Sequence, residues 1–194
     1  MELPRVTEIL KYFTSYDKVP PKILEKACVR GTIVHGICAG LAKGAWIPDS
    51  MIDECYHGYI KSFRLWAEAQ VEAFVIVEKR FAHDELGYTG QVDFVVKGKD
   101  GELYLVDLKT SSKEQKTYPL QMGAYDLLLK RNNILVKGAM LVYINRDGEF
   151  PDINLMLDVK REAEVFISAL DCWKYLHTKK ERKNGRKVEL LSTE

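Results

Sequence analysis

The sequence predicts a mixed α/β layer structure, with one central sheet flanked by helices and a helical region ahead of it. Three observations lead there. Apolar residues before position 70 recur at three- and four-residue spacing; from Val71 the texture turns β-branched and aromatic; helical spacing then returns between the third and fourth strand-like stretches.

Pro20 and Pro21 open the first helical run, 22–44, in which Ile23, Leu24, Ala27, Val34, Ile37, Cys38 and Leu41 form the apolar face. Gly44 can end it, and Gly31 could weaken it. Asp49 is a candidate N-cap for a second helix through "SMIDECYHGYIKSFRLWAEA", whose buried stripe would be Met51, Ile52, Cys55, Tyr59, Phe63 and Trp66. Strands are expected near 71–82, 89–97 and 102–109, the last two joined by a hairpin at "KGKDG", where Asp100 and Gly101 supply turn chemistry. "TYPLQMGAYDLLLKRN" is helical, with Leu120, Ala124, Leu127 and Leu128 on one face. Two more strands, in "VKGAMLVYINRD" and "DINLMLDV", precede a closing helix, "KREAEVFISALDCWKYLH".

At 194 residues and 46% hydrophobic, the chain can bury one sizeable core. No apolar run approaches the ~18 residues of a membrane span, and "MELPRVTEIL" lacks the order of a signal peptide, so a cytoplasmic place and no membrane partner are expected. Cys28, Cys38, Cys55 and Cys172 make no CxxC pair; they read as reduced core residues, not as a zinc site or a disulfide framework. The net charge of +1 hides a basic end: Lys174 to Lys187 carries seven Lys or Arg against Glu181. That end is either a solvated face or a phosphate contact.

Why should apolar strands carry acids? Asp107 and Lys109, two apart in "LYLVDLK", point the same way, with Cβ atoms roughly 6–7 Å apart. Apolar neighbours would desolvate the carboxylate, which must then pair, take up a proton or bind a cation. Asp93, on the partner strand of the hairpin, can reach the same place. Two acids that close need something positive between them, and an oxygen-rich site suits Mg²⁺ or Mn²⁺ better than zinc. The alternative on spacing alone is an Asp107–Lys109 ion pair with Asp93 facing water.

"GQVDFVV" followed by "LYLVDLKTSS" resembles the core motif of the PD-(D/E)XK nuclease superfamily, with VD in place of PD. "QMGAY" is similar to the Gln-x-x-x-Tyr motif of its RecB-like exonuclease branch, which places Gln121 and Tyr125 on one helix face. "RGTIVHG" resembles that branch's upstream histidine motif, and "VEKRF" supplies Glu78 where the branch has a glutamate opening its first strand. Together these motifs span about 90 residues, from His35 to Tyr125.

The resemblance implies a restriction-endonuclease-like core over 71–178, with a helical region over 1–70 packed on it and a basic tail over 179–194. It implies that His35, Glu78, Asp93, Asp107 and the Leu108 carbonyl hold one or two Mg²⁺ or Mn²⁺ ions, and that Asp93, Asp107 and Lys109 carry the catalysis. Lys109 would orient or deprotonate the attacking water and stabilise the developing charge. Gln121 and Tyr125 would position DNA or orient Lys109. Thr110, Ser111 and Ser112 either donate to phosphate oxygens or cap the loop, and Tyr56, Tyr59, Phe63 and Trp66 either stack bases or form core. A relative that holds an iron–sulfur cluster would need three cysteines near the C-terminus; only Cys172 lies there, so no cluster is expected. The activity so implied is a metal-dependent DNA exonuclease working from single-stranded or duplex ends, similar to phage recombination exonucleases and the mitochondrial genome maintenance exonuclease. Recombination or replication proteins would be its partners, and a phage source is suggested by analogy alone. An endonuclease of the same superfamily, or a nucleic-acid-binding module without turnover, are the alternatives.

Overall fold

A single five-stranded sheet organises the molecule in the computed structural model, which describes residues 3–14, 19–111 and 114–177. The elements in chain order are α1 (Val6–Lys11), α2 (Pro21–Ala42), a 3₁₀ turn (Asp49–Met51), α3 (Glu54–Gln70), β1 (Val71–His83), β2 (Tyr88–Gly98), β3 (Leu103–Lys109), α4 (Thr117–Arg131), β4 (Gly138–Tyr143), β5 (Asp152–Met156) and α5 (Lys160–His177). Strand order follows chain order. β1, β2 and β3 form an antiparallel meander, α4 carries the chain across so that β4 runs parallel to β3, and β5 returns antiparallel.

The sheet separates two cores. On one side Val6 and Ile9 of α1, Met122 and Leu128 of α4 and Phe166 and Leu170 of α5 pack on Val95, Leu105 and Leu141. On the other, Val34 and Cys38 of α2 and Phe63 and Trp66 of α3 pack on Phe94, Val106 and Val142. The continuous burial of β3 and β4 follows: a strand covered on both faces is apolar throughout, and Asp107 in its middle is the exception. Two glycines set how closely the helices approach. A Cβ on Gly123 would lie 2.6 Å from the Glu162 carbonyl carbon of α5, and one on Gly90 would lie 2.8 Å from Tyr125 and Leu128 of α4.

Several sequence expectations need correction. Asp49 does not cap α3. Following Pro48, it starts the 3₁₀ turn and pairs with Arg64 at 2.8 Å, while Asp53 is the cap, its carboxylate accepting from the Cys55 N–H at 3.0 Å. Met51 therefore lies on the turn and is exposed, as is Ile23 in the first turn of α2. Of the cysteines only Cys38 is buried; Cys28, Cys55 and Cys172 sit on outward helix faces. Gly31 does not interrupt α2, and Gly44 ends it with φ +81°. Ser112 and the basic tail lie outside the described residues. Among the described residues, no helix is long and apolar enough to cross a membrane.

Candidate active site

The β2–β3 ladder stops at Phe94–Val106. The next couple would be Asp93 opposite Asp107, and here the Leu108 N–H donates to the Asp93 carboxylate (Oδ2, 3.0 Å) instead of to a strand carbonyl. Asp93 thus takes over a backbone hydrogen bond, and the two strands part around it.

On the other side of Asp93 the irregularity continues into β1. The β1–β2 register passes from Val77–Phe94 to Lys79–Val92, so Glu78 stands across from Asp93. Glu78 has φ +49°, a left-handed conformation unusual for a residue with a side chain. Side-chain facing slips by one at this point: Tyr88 and Val92 face α4, and so does Val95, while Phe94 and Val96 face α3. The sheet is pivoted at the Glu78–Asp93 couple, and the Gln91 amide donates to the Glu78 carboxylate there.

Through this opening the two helical layers meet. From α2, His35 brings Nδ1 to 3.3 Å from Asp93 Oδ2. His35, Glu78 and Asp93 each offer a ligand atom, all within 4.8 Å of one another. From the α4 side, Lys109 Nζ lies 2.6 Å from Asp107 Oδ2, a charge contact without hydrogen-bond alignment, and donates to Gln121 Oε1 at 3.1 Å. Gln121 Nε2 donates to Asp107 Oδ1 (3.0 Å) and to the Tyr125 hydroxyl (2.9 Å). Gln121 and Tyr125 are thus fixed into the acid–lysine pair, and Asp107 is spoken for by Lys109 and Gln121 while the other three donors converge beside it. A cleft of about 500 Å³ opens over His35, Glu78 and Asp93, and α2 lines it with Gly31, Thr32 and Gly36, residues too small to fill it.

Electrostatics follow from this crowding. Burial pushes the His35 imidazole down, but the Asp93 carboxylate, with Asp107 and Glu78 behind it, outweighs burial and raises it to about 9. Burial also raises Asp107, against the Lys109 charge, and Asp93 adds to that rise. The Lys109 ammonium is penalised by burial yet held above its ordinary value by Asp107. Glu78 is raised by burial and by Asp93 although Gln91 lowers it. A proton on His35 therefore neutralises acids in the position where a divalent cation would. The donor set, one imidazole nitrogen and two carboxylates, fits such a cation.

Of the remaining expected residues, Thr110 and Ser111 lie beyond Lys109 in a separate groove. Glu78 lies within β1, not at its start. Tyr59, Phe63 and Trp66 are buried core, which removes them as a stacking channel, and Tyr56 is half-buried. Two contributors escaped the sequence reading. Lys109 Nζ lies over the Tyr118 ring, 4.0 Å from its centroid, and Gln91 holds Glu78. Spacing could have found both: 118, 121 and 125 share a helix face, and 91 and 93 are two apart on a strand.

The family model of the PD-(D/E)XK nuclease superfamily matches residues 9–187. Among solved structures, the chain is similar to the crystal structure of SSO0001, with 14% identity and a TM-score of 0.38 over 62% of this chain and 58% of that one. It therefore spans less than two thirds of that chain's length. No curated protein matches the chain.

Proposed function

Because the chain belongs to the PD-(D/E)XK nuclease superfamily, a family of metal-dependent nucleases, we propose that it is a DNA exonuclease of the RecB-like branch, hydrolysing phosphodiester bonds from single-stranded or duplex ends in replication, repair or recombination. The mixed sheet with helices on both faces is the restriction-endonuclease-like fold of that family.

The observation that carries the proposal is the end of the β2–β3 ladder, where the His35–Glu78–Asp93 group, completed from α2, adjoins the Asp107–Lys109–Gln121 group, completed from α4. Mg²⁺ or Mn²⁺ held by His35, Glu78 and Asp93, next to Asp107 and the Leu108 carbonyl, would supply Lewis acidity and an acidified water. Lys109 is held protonated by Asp107, so its Nζ orients the nucleophile and stabilises charge on the phosphate oxygens rather than removing a proton. Gln121 fixes both Asp107 and Lys109, and Tyr125 fixes Gln121. Asp93, by accepting from Leu108 N–H, keeps the opening from closing into a regular ladder. The end-directed reading is supported by α2, which carries His35 and walls the cleft, leaving a strand to enter past small residues.

End-labelled linear and covalently closed circular single-stranded DNA, incubated with Mg²⁺, separate the readings. Linear strands should be degraded and circles spared; circles cut as fast as linear DNA would make the enzyme an endonuclease. Asp107→Ala and Lys109→Ala should each lower cleavage by at least ~100-fold while the protein stays folded.

A further inference from the structure

The groove beyond Lys109, about 850 Å³, is a concavity that the chemistry above leaves unused. It lies outside the carboxyl ends of the two parallel strands, β3 and β4, the place where open α/β sheets receive ligands. Tyr143 on its floor is the sheet partner of Lys109, and Thr110 at its near end follows Lys109 directly. It also adjoins the cleft over His35: a Cβ on Gly31, which lines that cleft, would be 3.9 Å from Thr110 Oγ1. A polymer leaving the acid–lysine pair would pass into it.

The polarity of the groove is divided. Its acids Glu114, Asp147 and Asp152 are exposed at the rim, where Glu114 accepts from Asn154 at 3.3 Å and Asp147 lies 3.7 Å from Arg146. Inside, the half-buried groups include Arg30 and Tyr143. Arg30 of α2 keeps its Nε buried with no hydrogen-bond partner, and among the described residues its guanidinium pairs with no acid; it lies 5.7 Å from the Tyr59 ring centroid. The Tyr143 hydroxyl is likewise buried without a partner. Two bare donors in one groove are costly to keep unless an acceptor visits them. A guanidinium fork matches a phosphate.

We propose that this groove is a second nucleic-acid contact site, in which Arg30, supported by the Tyr143 hydroxyl, holds a phosphodiester of the substrate strand away from the scissile bond. The inference rests on the nuclease reading, and its test separates the two. Binding of a fluorescein-labelled (dT)₁₂ is measured in EDTA by anisotropy across a salt series, alongside metal-dependent hydrolysis of bis(p-nitrophenyl) phosphate, which is too small to span both places. Arg30→Gln should weaken (dT)₁₂ binding roughly tenfold and reduce the slope of log K against log salt by about one, with hydrolysis of the small diester and the melting temperature unchanged. Arg30→Lys should restore the slope and only part of the affinity. Unchanged (dT)₁₂ binding and slope in Arg30→Gln would overturn the groove alone, and an equal loss on the small diester would place Arg30 at the reacting centre instead. Failure of the wild-type chain to hydrolyse DNA and the small diester would count against the nuclease reading.

Discussion

Glu78 keeps a left-handed backbone in mid-strand, at φ +49°, where a Cβ costs about 1–2 kcal/mol. Nothing about local propensity favours this; a regular strand residue there would keep Asp93 in the ladder and close the site. The conformation is held by its surroundings, chiefly the pivot at Asp93 and the Gln91 hydrogen bond, and strain persisting beside a cluster of ligand-type groups is where strain is expected to be functional. A test follows from the conformation itself. In a strand, Gly is ordinarily less favourable than Ala. At position 78 the order should reverse: both Glu78→Ala and Glu78→Gly remove the carboxylate and, under the proposed function, should lower nuclease activity, but Glu78→Gly should be the more stable by about 1 kcal/mol in urea denaturation. The ordinary order, Ala above Gly, would mean that the backbone relaxes once the carboxylate is gone.

Among the elements, α4 and α2 make opposite demands on glycine. Gly123 is where α4 crosses α5, and a Cβ there would press on the backbone at Glu162 and Ala163. Backbone cannot yield as a side-chain end can, so Gly123→Ala should destabilise the protein by about 2–3 kcal/mol in spite of the better helix propensity of Ala. Gly36 of α2 meets nothing within 4 Å. Gly36→Ala should therefore add up to about 1 kcal/mol. Equal effects in thermal or chemical melts would refute the packing account of both positions. These two glycines also mark what could be read from the chain. Strand and helix order was legible because each element repeats a period; Asp93, Asp107 and Lys109 stood out because an acid in an apolar strand must pair, take up a proton or bind a cation, while spacing alone left a plain Asp107–Lys109 ion pair open and only the family resemblance chose between them. Cap choice at Asp49 against Asp53 was not, since both residues precede a helix-like stretch and only the pairing of Asp49 with Arg64 decides. The outward placement of Cys28, Cys55 and Cys172, the strain at Glu78 and the bare guanidinium of Arg30 depend on what the tertiary fold sets beside them, which periodicity does not carry.

For the molecule as a whole, the cleft links folding, protons and metal. With its folded pKa raised to about 9 from an ordinary value near 6.5, His35 stabilises the metal-free protein fully below that ordinary value and progressively less as pH rises through 9. The full effect amounts to about 3 kcal/mol. Asp107, raised by burial to about 6, exerts its influence on stability mainly below the window from 6.5 to 9. Cys38, whose thiol burial pushes up, adds a loss of the same sign only near the top of that window, above about pH 8.5. A divalent cation needs the neutral imidazole and so competes with this proton; its stabilisation should grow with pH as the proton's fades. Melting temperatures in EDTA should accordingly fall between pH 6.5 and 8.5, while the increment produced by several millimolar Mg²⁺ or Mn²⁺ rises over the same range. His35→Ala should flatten both trends below pH 8. A metal increment that does not change with pH would mean that His35 is not displaced from its proton on binding, and that the cation is held by the carboxylates without it.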